Sequence, residues 1–248
     1  MTEIILEKPL NNFKNNISKI DKLVSIGSDV SDITVNLLED LLKKYESIPG
    51  FLEFKSKLEQ DINLIKNIKN NPLLKDKYAA IYQQALVLIV SNFESFLSEL
   101  SITAFDEYAY MVKWPEKKLS LDLEVFKYST QTVGEIVMRS IKEKYSFQDL
   151  QAMINFFDEY FGFKLDINND LRNKIVLCHA KRHSLIHNLG RVDDKFLKQV
   201  REIKGAHMKF SKGDSININE NEYLDAKQTF IGLAEKISSE MFQKSIPF

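Results

Sequence analysis

Glycine, proline and cysteine are scarce in this chain of 248 residues, which contains 8 Gly, 5 Pro and a single Cys. Glycine and proline form most tight turns, and an all-β fold needs many of them, so an all-β fold is disfavoured. Leu, Lys, Glu and Ile fill runs of helix length, and 44% of the residues are hydrophobic, enough for a substantial core. The composition therefore predicts a folded, all-α protein.

The single cysteine excludes a disulfide bond within the chain. Cys178 follows the apolar residues Ile175, Val176 and Leu177, and this setting predicts a buried free thiol. Free buried thiols are typical of proteins in reducing compartments. We therefore expect a cytoplasmic protein.

Segments for secretion or membrane insertion are not evident in the sequence. The first seven residues place acidic residues on both sides of a short apolar run, unlike a signal peptide. We expect no run that approaches the roughly 20 apolar residues needed to span a bilayer. The sequence therefore predicts a soluble protein.

The charge is balanced overall but unevenly distributed. A formal net charge of −1 argues against binding nucleic acid through bulk positive charge, so any nucleic acid must be held by local charge or in a dimer groove. Lysine supplies most of the positive charge, yet Arg182, Arg191 and Arg201 fall in the stretch of residues 179–207, which contains all four histidines. A cluster of planar guanidinium groups suggests a specific anion contact.

The spacing of apolar residues predicts a series of helices. The predicted ranges are 13–24, 33–47, 51–68, 74–112, 134–144, 147–161, 171–190, 192–204 and 222–243. Gly27 and Ser28 are expected to break the chain between the first two helices, and residues 215–219 alternate like a short strand before the last helix. Asn70-Asn71-Pro72 is the clearest linker, which predicts a helical N-terminal extension over residues 1–72 and a main helical domain over residues 73–248.

The helix predicted over residues 171–190 contains an unusual polar segment. Its apolar face is formed by Leu171, Ile175, Cys178, Leu185 and Leu189. Arg182 occupies the one missing position on that face, where an arginine is costly unless an acid, a phosphate or a water-filled cleft satisfies it. His179, His183 and His187 share a second face, and Gly190 is placed to end the helix in the left-handed conformation.

These residues resemble a known family. The pattern Arg182-x4-His187, on a helix ended by Gly190, resembles the signature of the HEPN superfamily of small helical ribonuclease domains. Residues 91–97, with Glu94 among aromatics, are similar to the first core helix of that family. Residues 213–218, which lead into a final helix, are similar to one of its branches. The resemblance covers residues 74–244 and implies a HEPN-type up-and-down bundle.

The resemblance implies metal-independent cleavage of RNA without a cofactor. His187 would act as general base or acid at the 2′-hydroxyl and the leaving oxygen, and Arg182 would bind the phosphate oxygens. The product would be a 2′,3′-cyclic phosphate. Many members of the family are toxins or antiphage effectors with a neutralising protein partner such as an antitoxin, and they build the catalytic cleft at the axis of a homodimer.

Six neighbouring residues are expected to support this site. They are Glu94, His183, Ser184 and Asn188 as supporting residues, and Lys181 and Arg191 as RNA contacts. Several residues of the site also have a purely structural interpretation. Arg182 and Glu94 could form a structural ion pair, His187 could be a satisfied core histidine, and Asn188 could cap the helix. His183 and Ser184 either line the cleft or make only capping hydrogen bonds.

Helical geometry favours a dimer independently of the family. Positions five apart differ by about 140° in azimuth and roughly 7.5 Å in rise, so Arg182 and His187 do not share a face. Two antiparallel copies of the helix would bring Arg182 of one subunit near His187 of the other. The resulting basic cleft would hold two arginines and two histidines.

Two other functions are weighed for the same residues, a metal site and a binding module. An i, i+4 histidine pair is a recognised zinc geometry, but His179 and His187 lie about 12 Å apart and no glutamate completes an HExxH pattern, so we expect no metal site. The second alternative is a catalytically inactive HEPN-like module that binds RNA, a nucleotide or a protein partner. Glycine-rich phosphate loops, a GxSxG pattern and paired CxxC ligands are absent from the sequence.

Overall fold

The computed structural model describes residues 2–45, 52–69, 72–114, 130–142, 144–203 and 209–245. Within these ranges the chain forms α-helices and one 3-10 helix but no strand, so the predicted all-α class is confirmed. The α-helices are α1 Thr2–Tyr45, α2 Leu52–Lys69, α3 Pro72–Glu107, α4 Val133–Lys142, α5 Leu150–Phe161, α6 Asn169–His187, α7 Asp194–Gln199 and α8 Glu220–Ser245, and the 3-10 helix is Ala109–Met111. Asn70 and Asn71 of the predicted linker lie outside the described residues.

Helix α3 is the centre of the fold. It contacts α1, α4, α6 and α8, and its side chains at Ile89, Val90, Phe93 and Leu97 are fully buried. Apolar residues on a helix are stable in water when neighbouring helices cover them. The four neighbours of α3 cover much of its apolar surface, while Leu88 and Ser95 stay exposed.

The central helix also reaches the length of a membrane span, contrary to the expectation that no segment would. By length and composition alone, residues Ala79–Glu107 could cross a bilayer, since their most apolar stretch of 18 residues has a mean hydropathy of 1.5. Half of that stretch is buried inside the protein. The apolar character of α3 is thus accounted for by its place in the core of a helical bundle.

Helix α1 differs from its prediction. The irregular start and the break at Gly27 and Ser28 are wrong, because one helix runs from Thr2 to Tyr45 with Pro9 inside it. A glycine inside a helix costs about 1 kcal/mol relative to alanine. Burying one large apolar side chain contributes about 1.5–3 kcal/mol. Four such side chains anchor the first half of α1, namely Leu6, Phe13, Ile17 and Ile20.

The first half of α1 belongs to the same core as the rest of the chain. The Phe13 ring contacts Phe93 and Phe96 of α3, with ring centroids 6.0 and 5.5 Å apart. Asp21 accepts a hydrogen bond from the Tyr223 hydroxyl of α8 and forms an ion pair with Lys227. The predicted boundary at residue 72 therefore does not coincide with a break in the hydrophobic core.

The segment before α8 is extended but is not a strand. Within the described residues it forms one isolated antiparallel bridge, between Arg191 and Ser215. Two backbone hydrogen bonds flank the bridge: Val192 N–H donates to the Asp214 carbonyl at 2.9 Å, and Ile216 N–H donates to the Gly190 carbonyl at 2.7 Å. The predicted β-like excursion is thus reduced to one bridge, which fastens the end of α6 to the approach to α8. The helix predicted over 192–204 is also shorter, at Asp194–Gln199.

The crossing of α3 and α4 requires a glycine. A Cβ added at Gly134 would lie 2.5 Å from the Ile102 carbonyl oxygen, and the Gly134 N–H donates to Asp106 Oδ1 at 2.6 Å. We predict that Gly134→Ala lowers the free energy of unfolding by about 1–3 kcal/mol, because the backbone of α3 cannot move aside. Urea unfolding followed by circular dichroism measures the change.

Gly232 of α8 is the matched control. A Cβ added there meets no atom within 4 Å, so Gly232→Ala should raise stability by about 0.5–1 kcal/mol through helix propensity. Equal effects of the two substitutions would contradict the close packing of α3 against α4.

Candidate functional site

Helix α6 carries the motif, and local sequence fixes both of its ends. Asn168 caps the start by accepting the Leu171 N–H at 2.9 Å. At the other end, Asn188 and Gly190 both donate their N–H groups to the Ser184 carbonyl at 3.0 Å. Gly190 has the predicted left-handed conformation, with φ of 71°. The helix therefore ends at His187, which lies in its last turn.

Arg182 points into the protein, and the acid that faces it comes from α3. Its Nη2 lies 3.8 Å from Glu94 Oε2, and its side chain is 13% exposed. The distance is that of a loose ion pair without a hydrogen bond. The buried Nε of Arg182 has no hydrogen-bond partner within the described residues. The ion-pair alternative for these two residues is thus present, but it leaves part of the guanidinium unsatisfied.

Two further side chains complete a polar cluster, which consists of Glu94, Gln148, His179 and Arg182. Gln148 Nε2 donates to Glu94 Oε2 at 3.4 Å, and His179 Nδ1 lies 3.9 Å from Glu94 Oε1. Within the described residues, neither Glu94 Oε1 nor His179 Nδ1 has a hydrogen-bond partner. A buried polar group left unpaired costs about 1–3 kcal/mol, and such groups are concentrated at functional sites.

Burial sets the protonation of the polar cluster. Burial raises the pKa of the Glu94 carboxyl, and the positive charge of Arg182 partly opposes this shift. Burial, together with the positive charge of Arg182, lowers the pKa of His179 to about 4. His179 is therefore neutral at pH 7. Arg182 is the one positive charge in the cluster.

His183 and His187 form a second group at the surface. Their ring centroids are 4.7 Å apart. His187 is exposed and His183 is half-buried. Burial lowers the pKa of His183, and the positive charges of Lys195 and His187 add to this effect while Asp193 opposes it. The exposure of His187 does not fit the alternative of a satisfied core histidine.

Within the described residues no hydrogen bond or ion pair joins Arg182 to His187. Arg182 faces α3, whereas His187 faces solvent. The structure therefore places the two motif residues on different faces of one helix, as their spacing predicts. It brings together Glu94 and Arg182, and separately His183 and His187.

Two supporting residues have structural positions. Ser184 is fully buried, at 0% exposed, and within the described residues its hydroxyl has no hydrogen-bond partner. The apolar side of α6 packs inward, and Ser184 lies on that side. Asn188 Nδ2 donates to the Arg191 carbonyl at 2.8 Å. Asn188 therefore ties down the helix end, which is the capping alternative considered for it.

The two expected RNA contacts differ from each other. Lys181 is buried, and its Nζ lies 2.7 Å from Glu222 Oε1 of α8. Its charge is neutralised within the chain, so Lys181 is not available to RNA in this structure. Arg191 is exposed beside the bridge to Ser215 and keeps its side chain at the surface.

Cys178 of α6 is a free thiol that is partly accessible at the residue level and packs against the hydrophobic core. Burial raises its pKa to about 12. A thiol with so high a pKa carries almost no thiolate at neutral pH and is a poor nucleophile. Cys178 therefore has no evident part in the chemistry of this helix.

A cavity of about 180 Å³ opens beside the polar cluster. The residues that line it are Gln148, Asp149, Leu150, Gln151, Arg172, Val176, His179, Gln199 and Glu202. Arg172 Nη2 donates to Gln151 Oε1 at 2.9 Å, and Gln199 Oε1 is buried with no hydrogen-bond partner in the described part of the chain. The cavity thus combines amide groups, the carboxyl groups of Asp149 and Glu202, one guanidinium and the neutral His179. Sequence reasoning missed this role of His179, although its position three residues before Arg182 was visible.

The described residues contain no group of three or more His, Cys, Asp or Glu side chains arranged to hold a metal ion. His183 and His187 lie side by side, but Asp193 and the positive Lys195 are the charged neighbours that act on His183 from outside α6. A nearby ammonium group disfavours a bound cation.

No family profile, curated protein or solved structure matches this chain. The resemblance to the HEPN superfamily therefore rests on the motif residues of α6 and on Glu94 of α3. Function has to be argued from the chemistry of these side chains.

The polar cluster predicts a specific pH dependence of stability. His179 titrates near 6.5 when unfolded and near 4 in the folded protein. Between these values only the unfolded chain binds the proton, so stability is full above about pH 6.5 and falls as the pH drops toward 4. We predict that His179→Gln removes an acid-side loss on the order of 3 kcal/mol. Urea unfolding at a series of pH values measures it.

The Glu94 carboxyl acts in the opposite direction. Its raised folded pKa gives a contribution that is largest at low pH and is lost as the pH rises. The wild-type protein and His179→Gln both contain Glu94, so the difference between their curves of stability against pH reports the titration of His179. Parallel stability curves for the wild-type protein and His179→Gln would contradict the burial of a neutral His179.

Proposed function

We propose that this protein is a metal-independent endoribonuclease of HEPN type that acts as a cytoplasmic homodimer. The observation that supports the proposal most is the state of Arg182. The guanidinium is mostly buried, is held only loosely by Glu94 at 3.8 Å, and has an unpartnered Nε. An incompletely satisfied arginine, five residues before an exposed histidine, is an arrangement suited to binding a phosphate.

The chemistry uses the exposed histidine for proton transfer. His187 accepts the proton of a ribose 2′-hydroxyl, and the 2′-oxygen attacks the adjacent phosphorus. The bond from phosphorus to the 5′-oxygen breaks, and the leaving oxygen takes a proton from an imidazolium. The products are a 2′,3′-cyclic phosphate and a 5′-hydroxyl. The guanidinium of Arg182 stabilises the charge that develops on the phosphate oxygens.

A second copy of α6 would place an arginine near a histidine, which a single copy of the helix does not do. Because Arg182 and His187 lie on different faces within one chain, an antiparallel pair of α6 helices would place the arginine of each subunit near the histidine of the other. Glu94 would then orient the guanidinium, and His183 would support the His187 ring against which it lies. The exposed Arg191, close to the end of α6, adds positive charge for the RNA backbone.

The cavity beside His179 is suited to an unpaired base of the RNA. Sequence-dependent binding of RNA relies on hydrogen bonds to the edges of unstacked bases. Gln148, Gln151 and Gln199 offer amide donors and acceptors, and Gln199 Oε1 is unsatisfied. His179 lies about 12 Å along the helix from His187. A base one or two nucleotides from the cleaved phosphate would reach the cavity.

The alternative is a binding module of the same fold without catalysis. The observation in its favour is the low exposure of Arg182, 13%, together with its pairing to Glu94. In that case the guanidinium serves the stability of the α3–α6 contact or binds an anion without cleaving it. Only an assay of cleavage separates this alternative from the enzyme.

We predict that the protein cleaves single-stranded RNA in the presence of EDTA and leaves 2′,3′-cyclic phosphate ends. Arg182→Ala and His187→Ala should each reduce the rate by at least about a hundredfold, the usual contribution of a single acid–base or charge-stabilising group. His183→Ala should have a smaller effect. Gel electrophoresis of end-labelled RNA measures cleavage, and toxicity on expression gives a second readout.

Arg139→Ala is the control, because Arg139 lies on α4 and bonds to Gln131 outside the site. Circular dichroism should show unchanged helix content in all variants. Full activity of His187→Ala would exclude the proposed mechanism, and cleavage lost in EDTA but restored by zinc would assign the histidines to a metal. RNA that is bound without cleavage would favour the inactive module.

Mixing two inactive variants tests the composite site. In a heterodimer of Arg182→Ala and His187→Ala subunits, one of the two half-sites keeps an intact arginine opposite an intact histidine. We predict partial activity in the mixture, up to about a quarter of the wild-type rate if half of the dimers are mixed and each has one working site of two. A wild-type protein that sediments as a monomer while cleaving at its full rate would contradict a site shared between subunits.

A further inference from the structure

The second half of α1 presents a row of exposed apolar side chains. The residues are Leu23, Ile26, Val30, Ile33 and Leu37, which we call the α1 seam, and each is 58–66% exposed. Single exposed apolar residues are common on protein surfaces, but five in one row are not. The α1 seam therefore calls for a partner surface.

The seam lies on a different side of α1 from the residues that anchor the first half of the helix. Phe13, Ile17 and Ile20 pack against the core, and Val24 continues that packed side, whereas the seam is exposed and lies roughly 130° around the helix from it. Helix α2 contacts α1 but on another side: Lys66 of α2 pairs with Glu39 at 2.7 Å. Glu39 is two residues from Leu37, which places it about 160° around the helix. Helix α2 therefore leaves the α1 seam uncovered.

The spacing within the seam is that of a coiled coil. Its residues follow one another at intervals of 3, 4, 3 and 4, which corresponds to positions a, d, a, d, a of two heptads. The five positions hold only Leu, Ile and Val. Since an a/d row of this kind packs against another a/d row, we propose that the α1 seam pairs with the α1 seam of a second copy of this chain.

Charge beside the seam is compatible with pairing of identical chains. The e and g positions from 22 to 36 are Lys22, Gly27, Asp29, Thr34 and Asn36. One positive and one negative charge among five positions cause little repulsion between two identical helices. They also provide no charge pattern that would select a different, complementary partner.

The area is sufficient for two copies. A large aliphatic side chain contributes roughly 100 Å² of apolar surface, so the seam presents roughly 500 Å² on each chain. Two seams together bury about 1,000 Å², the lower bound for a biological interface. Phe54 of α2 is also 54% exposed and adds apolar surface to the same helical pair.

The residue types indicate how the helices assemble. Leu or Val occupies the a positions and Ile occupies the d positions, a combination that does not restrict the seam to a two-helix pair. The contact between the two copies is distant in sequence from the motif of α6. The pairing does not depend on RNA cleavage, but it would raise the effective concentration of one α6 helix near the other.

The test replaces seam residues with a polar residue that keeps the helix. Sedimentation equilibrium of the full chain at about 1 µM to about 100 µM should show self-association of the wild-type protein. The double variant Ile26→Gln/Ile33→Gln should associate at least about a hundredfold more weakly, because four side chains lose their burial across the pair. Its melting temperature at the lowest concentration should be unchanged, since these residues are exposed in one chain.

Leu224→Gln on α8 is the control, because Leu224 is a partly exposed leucine outside the seam. It should leave association unchanged. Equal association of the wild-type and seam variant, or a wild-type protein that is monomeric at the highest concentration, would overturn the proposal. A lower melting temperature of the seam variant at unchanged mass would also overturn it, since the seam would then be covered within the chain.

Discussion

The loose ion pair between Glu94 and Arg182 is the constraint on which the site depends. Helix α6 places an arginine in the face that packs against the core, and only an acid from the facing helix can balance its charge there. That acid comes from α3, the central helix, and the Glu94 side chain is itself only 19% exposed, so a charged carboxyl is costly there as well. Each charge is tolerated because the other is present, so the register of α3 against α6 and the direction of the Arg182 side chain are set together.

The sequence predicted what depends on local spacing. The helical class, the left-handed Gly190 at the end of α6 and the inward direction of Arg182 follow from periodicity and capping, whereas the start of α6 lies two residues earlier than predicted, at Asn169. It did not predict what depends on contacts between distant elements. The burial of Lys181 beside Glu222, 41 residues further along, gives no local signal. His179 was assigned to the row of histidines, because its place beside Glu94 becomes visible only when α3 and α6 are packed together.

The predicted break in helix α1 failed for a related reason, because distant packing outweighed a local signal. A glycine and a serine at positions 27 and 28 normally favour a break, but the apolar row on either side of them is continuous at helical spacing. Packing of the first half against α3 outweighs the small propensity cost of one glycine. The uninterrupted helix then extends beyond the side chains that anchor its first half, and on another side it presents the α1 seam to solvent. The exposed seam is thus a consequence of the continuity that local propensity failed to predict.

In the proposed reaction, binding of a phosphate at Arg182 would be linked to protonation of Glu94. Burial already raises the pKa of the Glu94 carboxyl, and the charge of Arg182 is what opposes that shift most. A phosphate that approached Arg182 would add negative charge near Glu94 and would raise its pKa further. Protonation of Glu94 would then release the guanidinium from the carboxylate and leave it to the phosphate oxygens, where its unpartnered Nε could also donate. Under the proposed function, binding of the RNA backbone and uptake of a proton by Glu94 are therefore coupled. The looseness of the ion pair is what makes such an exchange of partners energetically accessible, because no hydrogen bond between Glu94 and Arg182 has to be broken.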